Sequence, residues 1–327
     1  MATIDLSGLS KYTDQLSQTL IREAVLMPSS FDYVRKITNV PYSTAVNIMN
    51  STLIAKAGGC GAFSATGSVP LTQVELRVCP MKVEENICND DLKQYWLGQK
   101  MPNGSYVEDL SPAEFAQVYT ADKVDKLSAL VEDYFWVGST SNHYSNGLTL
   151  CNGILEKLEY TSMTSSTISG NAISGTTSTY SGALNISTAI NVVDNMINNL
   201  TSSNTGKNIL KSGKLVLFMD YVNFNTLVRA LRNVNYFHTN IGQESVGAGR
   251  WEFDYPGQPV KIVAVKGFPT TKMVLTTSDN FIFGTDNESD YSNFKIWYSI
   301  DDDEVRFRSK FKVGATVAFP QYVVLYA

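Results

Sequence analysis

Two strand-like stretches on either side of a glycine-rich segment constrain this chain more than any other feature. They cover residues 33–54 and 69–87, and apolar side chains alternate with polar ones in both. Residues 57–67, between them, are rich in glycine, and Gly58, Gly59 and Gly61 are expected to make this tip mobile. Strands of about 15 to 20 residues are longer than most, so the pattern predicts a β-hairpin over 33–88 that projects from the body of the protein.

A long helix with clear end signals is predicted next. Ser111 and Glu114 form a capping box, and Pro112 occupies the first helical position, where proline is favoured. Apolar residues then recur at three- and four-residue steps. The pattern predicts one helix over 112–136 with an apolar face in the core, and the residues expected to define that core are Phe115, Leu127, Leu130 and Val131.

The remaining sequence mixes helical and strand patterns. Residues 187–234 predict a helix, a short buried strand over 214–219 and a second helix capped by Asp220, which is typical of a small α/β layer. Residues 260–326 contain six strand candidates. Ser and Thr make up 13 of the 22 residues of 161–182, which we interpret as a surface loop or β excursion, with a disordered linker as the alternative. The predicted fold class is α+β.

Charge and composition restrict the partners. The net charge is −5, and the sequence lacks the basic cluster that tight nucleic-acid binding requires. The densest charged run, residues 301–304, is acidic and is interpreted as a solvated turn. No stretch reaches 18 consecutive apolar residues, and the N-terminus lacks the basic start of a secretory signal, so neither a membrane span nor an export signal is predicted.

Patterns for catalysis and metal binding are weak. His143 and His238 have neither a Gly-x-Ser-x-Gly motif nor an HExxH pair beside them, and we interpret both as polar loop residues. Residues 286–297 begin like a calcium loop, but Tyr291 stands where that loop needs glycine. The chain has four cysteines: Cys60, Cys79, Cys88 and Cys151. None forms a CxxC pair, so all four are predicted to be reduced thiols. The sequence predicts no catalytic, cofactor or metal site.

The order of these elements resembles that of the major capsid proteins of tailed bacteriophages, which share the HK97-like fold. The resemblance covers nearly the whole chain and rests on five segments: 78–92, 214–221, 257–262, 279–284 and 305–314. It implies five units, which are an N-terminal arm over 1–32, an extended loop with its base strands over 33–88, a peripheral domain over 89–145 with a spine helix over 112–136, an axial α/β domain over 146–258, and a return to the peripheral domain over 259–327.

The resemblance also implies a function. A chain of this family assembles, without catalysis or cofactor, into the icosahedral shell that encloses a phage genome. It does so in the cytoplasm of a bacterial host and remains in the virion. Its expected partners are copies of itself in hexamers and pentamers, a scaffolding protein and a portal protein, with only weak non-specific contact to packaged DNA and no membrane.

The extended loop carries the expected intersubunit contact. Its tip is expected to contact a neighbouring subunit through Gly58, Gly59, Gly61 and Phe63. Because no long acidic extension precedes the arm, the resemblance implies a separate scaffolding protein or an earlier cleavage. Two alternatives remain open: a phage tail or adhesion protein, suggested by the β segments rich in Ser, Thr and Asn, and a hydrolase that uses Ser, Asp or Tyr.

Overall fold

The computed structural model describes residues 29–49, 54–56, 69, 71–88, 112–160, 184–201, 213–234, 251–286, 295–299, 301–302 and 304–326. The first half contains β1 (Arg35–Ile37), β2 (Ser43–Met49), β3 (Leu71–Arg77), β4 (Cys79–Cys88), α1 (Pro112–Val137) and α2 (Ile154–Glu159). A 3-10 turn, Ser29–Tyr33, precedes β1.

The second half contains α3 (Ala189–Thr201), β5 (Leu215–Met219), α4 (Tyr221–Asn233), β6 (Glu252–Asp254), β7 (Val260–Ala264), β8 (Met273–Thr277), β9 (Phe281–Gly284), β10 (Lys295–Ser299), β11 (Glu304–Val317) and β12 (Val324–Tyr326). A 3-10 turn, Pro320–Tyr322, lies between the last two strands. Within the described ranges, no helix is long and apolar enough to cross a membrane.

One five-stranded sheet forms an α/β layer, with the strand order β12-β8-β5-β7-β6. The central strand β5 is buried along its whole length and pairs in parallel with β7 and antiparallel with β8. The amphipathic helices α3 and α4 pack on this sheet through a shared apolar cluster. Asp220 caps α4, since its side chain accepts a hydrogen bond from the amide of Val222 at 3.0 Å. The predicted order of helix, buried strand and capped helix is confirmed.

The other five-stranded sheet packs against α1. Its order is β1-β9-β11-β10, and β4 also pairs with β11. The long strand β11 changes partners along its length, pairing with β4 up to Val313 and with β9 from Gly314 onward. The core between sheet and helix is aromatic, with Phe135 of α1 edge-on to Phe31 at 5.0 Å and to Phe283 at 5.8 Å. The predicted long helix is confirmed and ends one residue later than expected.

Within the described residues, the two predicted stretches pair with each other over a shorter length than the sequence pattern predicts. The strands β2 and β3 pair antiparallel over seven residues each, from Ser43 opposite Arg77 to Met49 opposite Leu71. The first stretch is interrupted because Asn39 adopts a left-handed backbone angle, and β1 before it pairs with β9. The second stretch leaves β2 at Val78 and continues as β4 along β11. The second stretch is extended over 71–88 apart from Val78, as predicted, but β1 and β4 pair with other strands, so the expectation that the two stretches pair with each other at their base was wrong.

The prediction of four reduced cysteines was also wrong. Cys79, at the start of β4, forms a disulfide with Cys151, in the loop between α1 and α2, with 5.9 Å between the two Cα atoms. These residues are 72 positions apart in the sequence, so the tertiary fold brings them together. Spacing along the sequence tests only local pairs, so it could not find this bond.

A buried polar network ties the start of the described chain to α1. Glu132 accepts hydrogen bonds from the amide and the hydroxyl of Ser30, at 3.3 and 2.6 Å, and Trp136 donates to that hydroxyl at 3.1 Å. Burial raises the pKa of Glu132, while the hydrogen bonds from Ser30 oppose the shift. This network fixes Phe31 over the aromatic core.

Candidate assembly surface

The hairpin of β2 and β3 has one buried face and one exposed face. Val46, Ile48 and Leu76 lie on the buried face, and none of them is more than 8% exposed. On the opposite face, Met49 and Leu71 form the outermost pair of the ladder within the described residues and are 67% and 74% exposed. Successive side chains of a strand point to opposite faces, so the alternation in the sequence produces this division directly.

Exposed apolar side chains concentrate on this part of the chain. Of the ten large apolar residues that are exposed in the described ranges, five lie on the hairpin or beside it: Tyr42, Met49, Ile54, Val69 and Leu71. Single exposed apolar residues are common, but a concentration of them marks a contact surface. We define Met49, Ile54, Val69 and Leu71 as the hairpin end, and it is the candidate assembly surface.

Two glycines make room for the root of the hairpin, by which we mean the residues around Tyr42 and Arg77, where β2 and β3 meet the body of the protein. Gly284 of β9 and Gly314 of β11 are register partners. A Cβ atom on Gly284 would lie 2.8 Å from the side chain of Leu76, and one on Gly314 would lie 2.6 Å from the carbonyl oxygen of Arg77. Because β3 passes this close over the two strands, only residues without a side chain fit beneath it.

Polar contacts hold both strands of the root. The amide of Val78 donates to the carbonyl oxygen of Tyr42 at 2.9 Å. Lys312 donates to the carbonyl oxygen of Pro41 at 3.0 Å and pairs with Asp286 at 2.5 Å. Arg77 also lies over the ring of Tyr42, 5.0 Å from its centroid. The root is therefore fixed to the body of the protein, although the hairpin end is exposed.

The residues that the sequence analysis selected fall into two groups. The predicted tip contacts, Gly58, Gly59, Gly61 and Phe63, lie outside the described residues. In α1, Val131 is fully buried and Leu127 is 5% exposed, whereas Leu130 is partly buried against the same core. Phe115 lies in α1, but its side chain is outside the described part of the structure.

The sequence analysis did not predict the contact between His143 and Glu156. His143, interpreted as a polar loop residue, lies in the loop after α1, but its Nδ1 is 2.9 Å from both carboxylate oxygens of the buried Glu156. Its ring also stacks on Tyr160 at 3.9 Å. In the described residues, no side-chain hydroxyl group makes a hydrogen bond to this ring. No signal in the sequence joins positions 143 and 156.

Elsewhere the described residues offer little for chemistry. They contain no group of three or more His, Cys, Asp or Glu side chains that could hold a metal ion. Lys157 is the most perturbed cation: burial lowers its pKa to about 8, and its ammonium group donates to the carbonyl oxygen of Ala315. That contact is structural, because it joins α2 to β11.

The architecture belongs to the class of folds found in the shells of viral particles. The chain shares its fold with a chain of the satellite phage P4 procapsid that includes the size determination (Sid) protein, at 14% identity and a TM-score of 0.52, over 95% of this chain and 89% of that one. It is also similar to the capsid of a native GTA particle, at 12% identity and a TM-score of 0.51, over 91% and 89% of the two chains.

A third similar structure is a virus-like particle from Pyrococcus furiosus, at 10% identity and a TM-score of 0.50, over 96% and 98% of the two chains. The sequence itself matches no protein-family model and no curated protein. The resemblance found from the order of elements is thus confirmed at the level of the fold.

Proposed function

We propose that this chain is a major capsid protein with an HK97-like fold, which assembles in many copies into the shell around a phage genome. The observation that carries the proposal is the fold shared with shell-forming chains over about nine-tenths of their length and of this chain. The hairpin supplies the physical means, because it combines a fixed root with an exposed apolar end.

A shell needs contacts that join different surfaces of identical subunits. Head-to-tail contacts of this kind close into rings when the rotation between subunits allows it, and they generate hexamers and pentamers. A projecting hairpin provides such a contact, because its end can lie on a neighbour without disturbing its own subunit. In this proposal Met49 and Leu71 contact the next subunit, together with the predicted tip residues beyond them.

The finer assignment follows from the same proposal. Residues 33–88 form the extended loop and its base strands, α1 is the spine helix of the peripheral domain, and the α/β layer around β5 is the axial domain. The chain acts without catalysis, a scaffolding protein and a portal protein assist its assembly in the host cytoplasm, and the mature protein resides in the virion. The net charge of −5 supports weak rather than tight contact with packaged DNA.

The test is assembly of the purified chain, measured by sedimentation velocity and electron microscopy, with and without its scaffolding protein. We expect hexamers, pentamers, sheets or shells. A chain that stays monomeric at high concentration under both conditions would contradict the proposal.

Two substitutions on the same face of β3 locate the contact. Leu71→Asp places a charge at the hairpin end, and Gln73→Asp places one two residues further along the same exposed face. Both should unfold within about 1 kcal/mol of the wild type, as exposed substitutions do. We expect Leu71→Asp to reduce assembly at least tenfold and Gln73→Asp to leave it nearly unchanged. Equal assembly of the two variants would remove the hairpin end from the interface.

A further inference from the structure

The disulfide between Cys79 and Cys151 joins two segments that other contacts already hold together. Cys79 lies opposite Val313 in the ten-residue ladder between β4 and β11. The loop of Cys151 is closed by its own hydrogen bonds, from the Gly153 amide to the Gly138 carbonyl oxygen at 2.8 Å and from Thr140 to Asn152 at 2.8 Å. Backbone and side-chain contacts on both sides therefore also hold the two cysteines close to each other.

The position of the bond gives it a consequence for the hairpin. Cys79 is two residues beyond Arg77, at the point where the chain leaves β2 and begins to pair with β11. Cys151 is 5% exposed and belongs to the core at the end of α1. The bond thus attaches the root of the hairpin covalently to the core beneath the long helix.

We propose that Cys79 and Cys151 form a late crosslink, which closes after assembly, when the particle leaves the reducing cytoplasm. The timing rests on the proposed function, since a shell built inside a cell and then released passes from a reducing to an oxidising environment. The chain assembles with both thiols reduced, and the bond afterwards raises the resistance of the subunit to unfolding.

The oxidant that the proposal requires is a small disulfide such as oxidised glutathione. Cys79 is the more exposed of the pair, so its thiolate attacks one sulfur of the small disulfide, forms a mixed disulfide and releases one thiolate. The thiolate of Cys151 then attacks the sulfur of Cys79 and releases the second small thiolate. Two protein thiols are oxidised, one small disulfide is reduced to two thiols, and the two protons from the cysteines end on the released thiolates.

The bond acts mainly on the unfolded chain, which it closes into a long loop. For a separation of 72 residues, loop-closure entropy predicts a rise in melting temperature of roughly 6 °C in a chain of 327 residues. The native contacts around both cysteines should remain the same in the two redox states.

The experiment begins with wild-type chain purified and assembled in reducing buffer, after which half of the sample is treated with oxidised glutathione. Both halves are alkylated, digested without reduction and analysed by mass spectrometry, and both are melted. We expect alkylated Cys79 and Cys151 in the reduced half, a linked Cys79–Cys151 peptide in the oxidised half, and the rise in melting temperature only in the latter. Cys151→Ala and Cys79→Ser should each abolish the rise, whereas Cys60→Ser should keep it.

Three results would overturn the inference: a reduced chain that does not fold, both cysteines alkylated after oxidation, or a full rise in melting temperature in Cys151→Ala. Failure to assemble in either redox state would instead contradict the proposed function. The linked peptide and the melting shift are also measured on unassembled chain, so the bond is tested even if the chain does not assemble. A bond that is present only after oxidation of this sample would still show that folding does not require the crosslink.

Discussion

The hairpin root depends on the absence of side chains at Gly284 and Gly314, and this dependence can be measured. In Gly314→Ala the new methyl group would lie 2.6 Å from the carbonyl oxygen of Arg77 and 2.8 Å from Cγ1 of Val78. In Gly284→Ala it would lie 2.8 to 3.1 Å from three side-chain atoms of Leu76. Ordinary contacts of a Cβ atom begin at 3.4 Å, so both substitutions force a neighbour to move.

The two substitutions differ in what must move. Overpacking a filled site costs about 1–3 kcal/mol. We expect Gly314→Ala at the upper end of that range, because it displaces backbone where β3 continues into β4. Gly284→Ala displaces only the side chain of Leu76, which is fully buried and has little space to rotate, so we expect about 1–2 kcal/mol.

A double-mutant cycle separates the two cases. Leu76→Ala alone should cost about 2–5 kcal/mol, because it leaves a cavity. Combined with Gly284→Ala it should cost at least about 1 kcal/mol less than the sum, since the new methyl group occupies the space that the leucine leaves. The coupling between Leu76→Ala and Gly314→Ala should be smaller. The atom that opposes a methyl group at position 314 is the carbonyl oxygen of Arg77, and truncating Leu76 does not remove it.

The assay is urea unfolding followed by circular dichroism, under conditions in which the chain is unassembled. The reasoning fails if Gly284→Ala and Leu76→Ala add to within about 0.5 kcal/mol, which is the behaviour of independent sites. It also fails if Gly314→Ala is as stable as the wild type, because β3 would then not be pressed against β11.

Three further predictions concern buried groups, each measured by denaturant unfolding. Lys157→Met should raise the free energy of unfolding at pH 7 by roughly 2 kcal/mol, because it removes a buried charge. This gain should shrink between pH 8 and 10.5, because in that range Lys157 of the wild type is already deprotonated in the folded state but still protonated in the unfolded chain. For Glu132, whose pKa is raised above its ordinary 4.5, the folded state binds the proton more tightly, so the stability of the wild type relative to Glu132→Gln should fall as the pH rises from 4.5 to 7. Val131→Asp should be more destabilising than Leu130→Asp, because Val131 is fully buried and Leu130 only partly.

The features that the sequence predicts well are those with local causes. The capping box at Ser111 and the three- and four-residue apolar steps gave α1 to within one residue, because both signals act within a few turns of helix. Asp220 likewise marked the start of α4 by a hydrogen bond two residues along the chain. The order of such elements was enough to indicate the capsid fold.

The features that the sequence did not predict depend on residues far apart in the chain. The change of partner along β11, the pairing of Gly284 with Gly314 and the bond from Cys79 to Cys151 all arise from tertiary register. Periodicity cannot supply that register, because it describes each strand by itself. Glu132 shows the same limit, since a charged residue within a helical pattern gives no sign that Ser30 will satisfy it in the core.

The contrast between the two ends of the hairpin has a physical logic in the proposed shell. Its root is held by a close approach over two glycines and by Lys312, whereas the hairpin end leaves Met49 and Leu71 mostly exposed. A contact element that is already ordered loses little conformational entropy when it binds, so a modest apolar area can yield a stable contact. Because ring closure repeats the contact in every subunit, each contact needs only moderate strength. With a fixed root and a small apolar end, a single contact can therefore break and re-form while the shell is built. The closed shell is stable because it contains many such contacts.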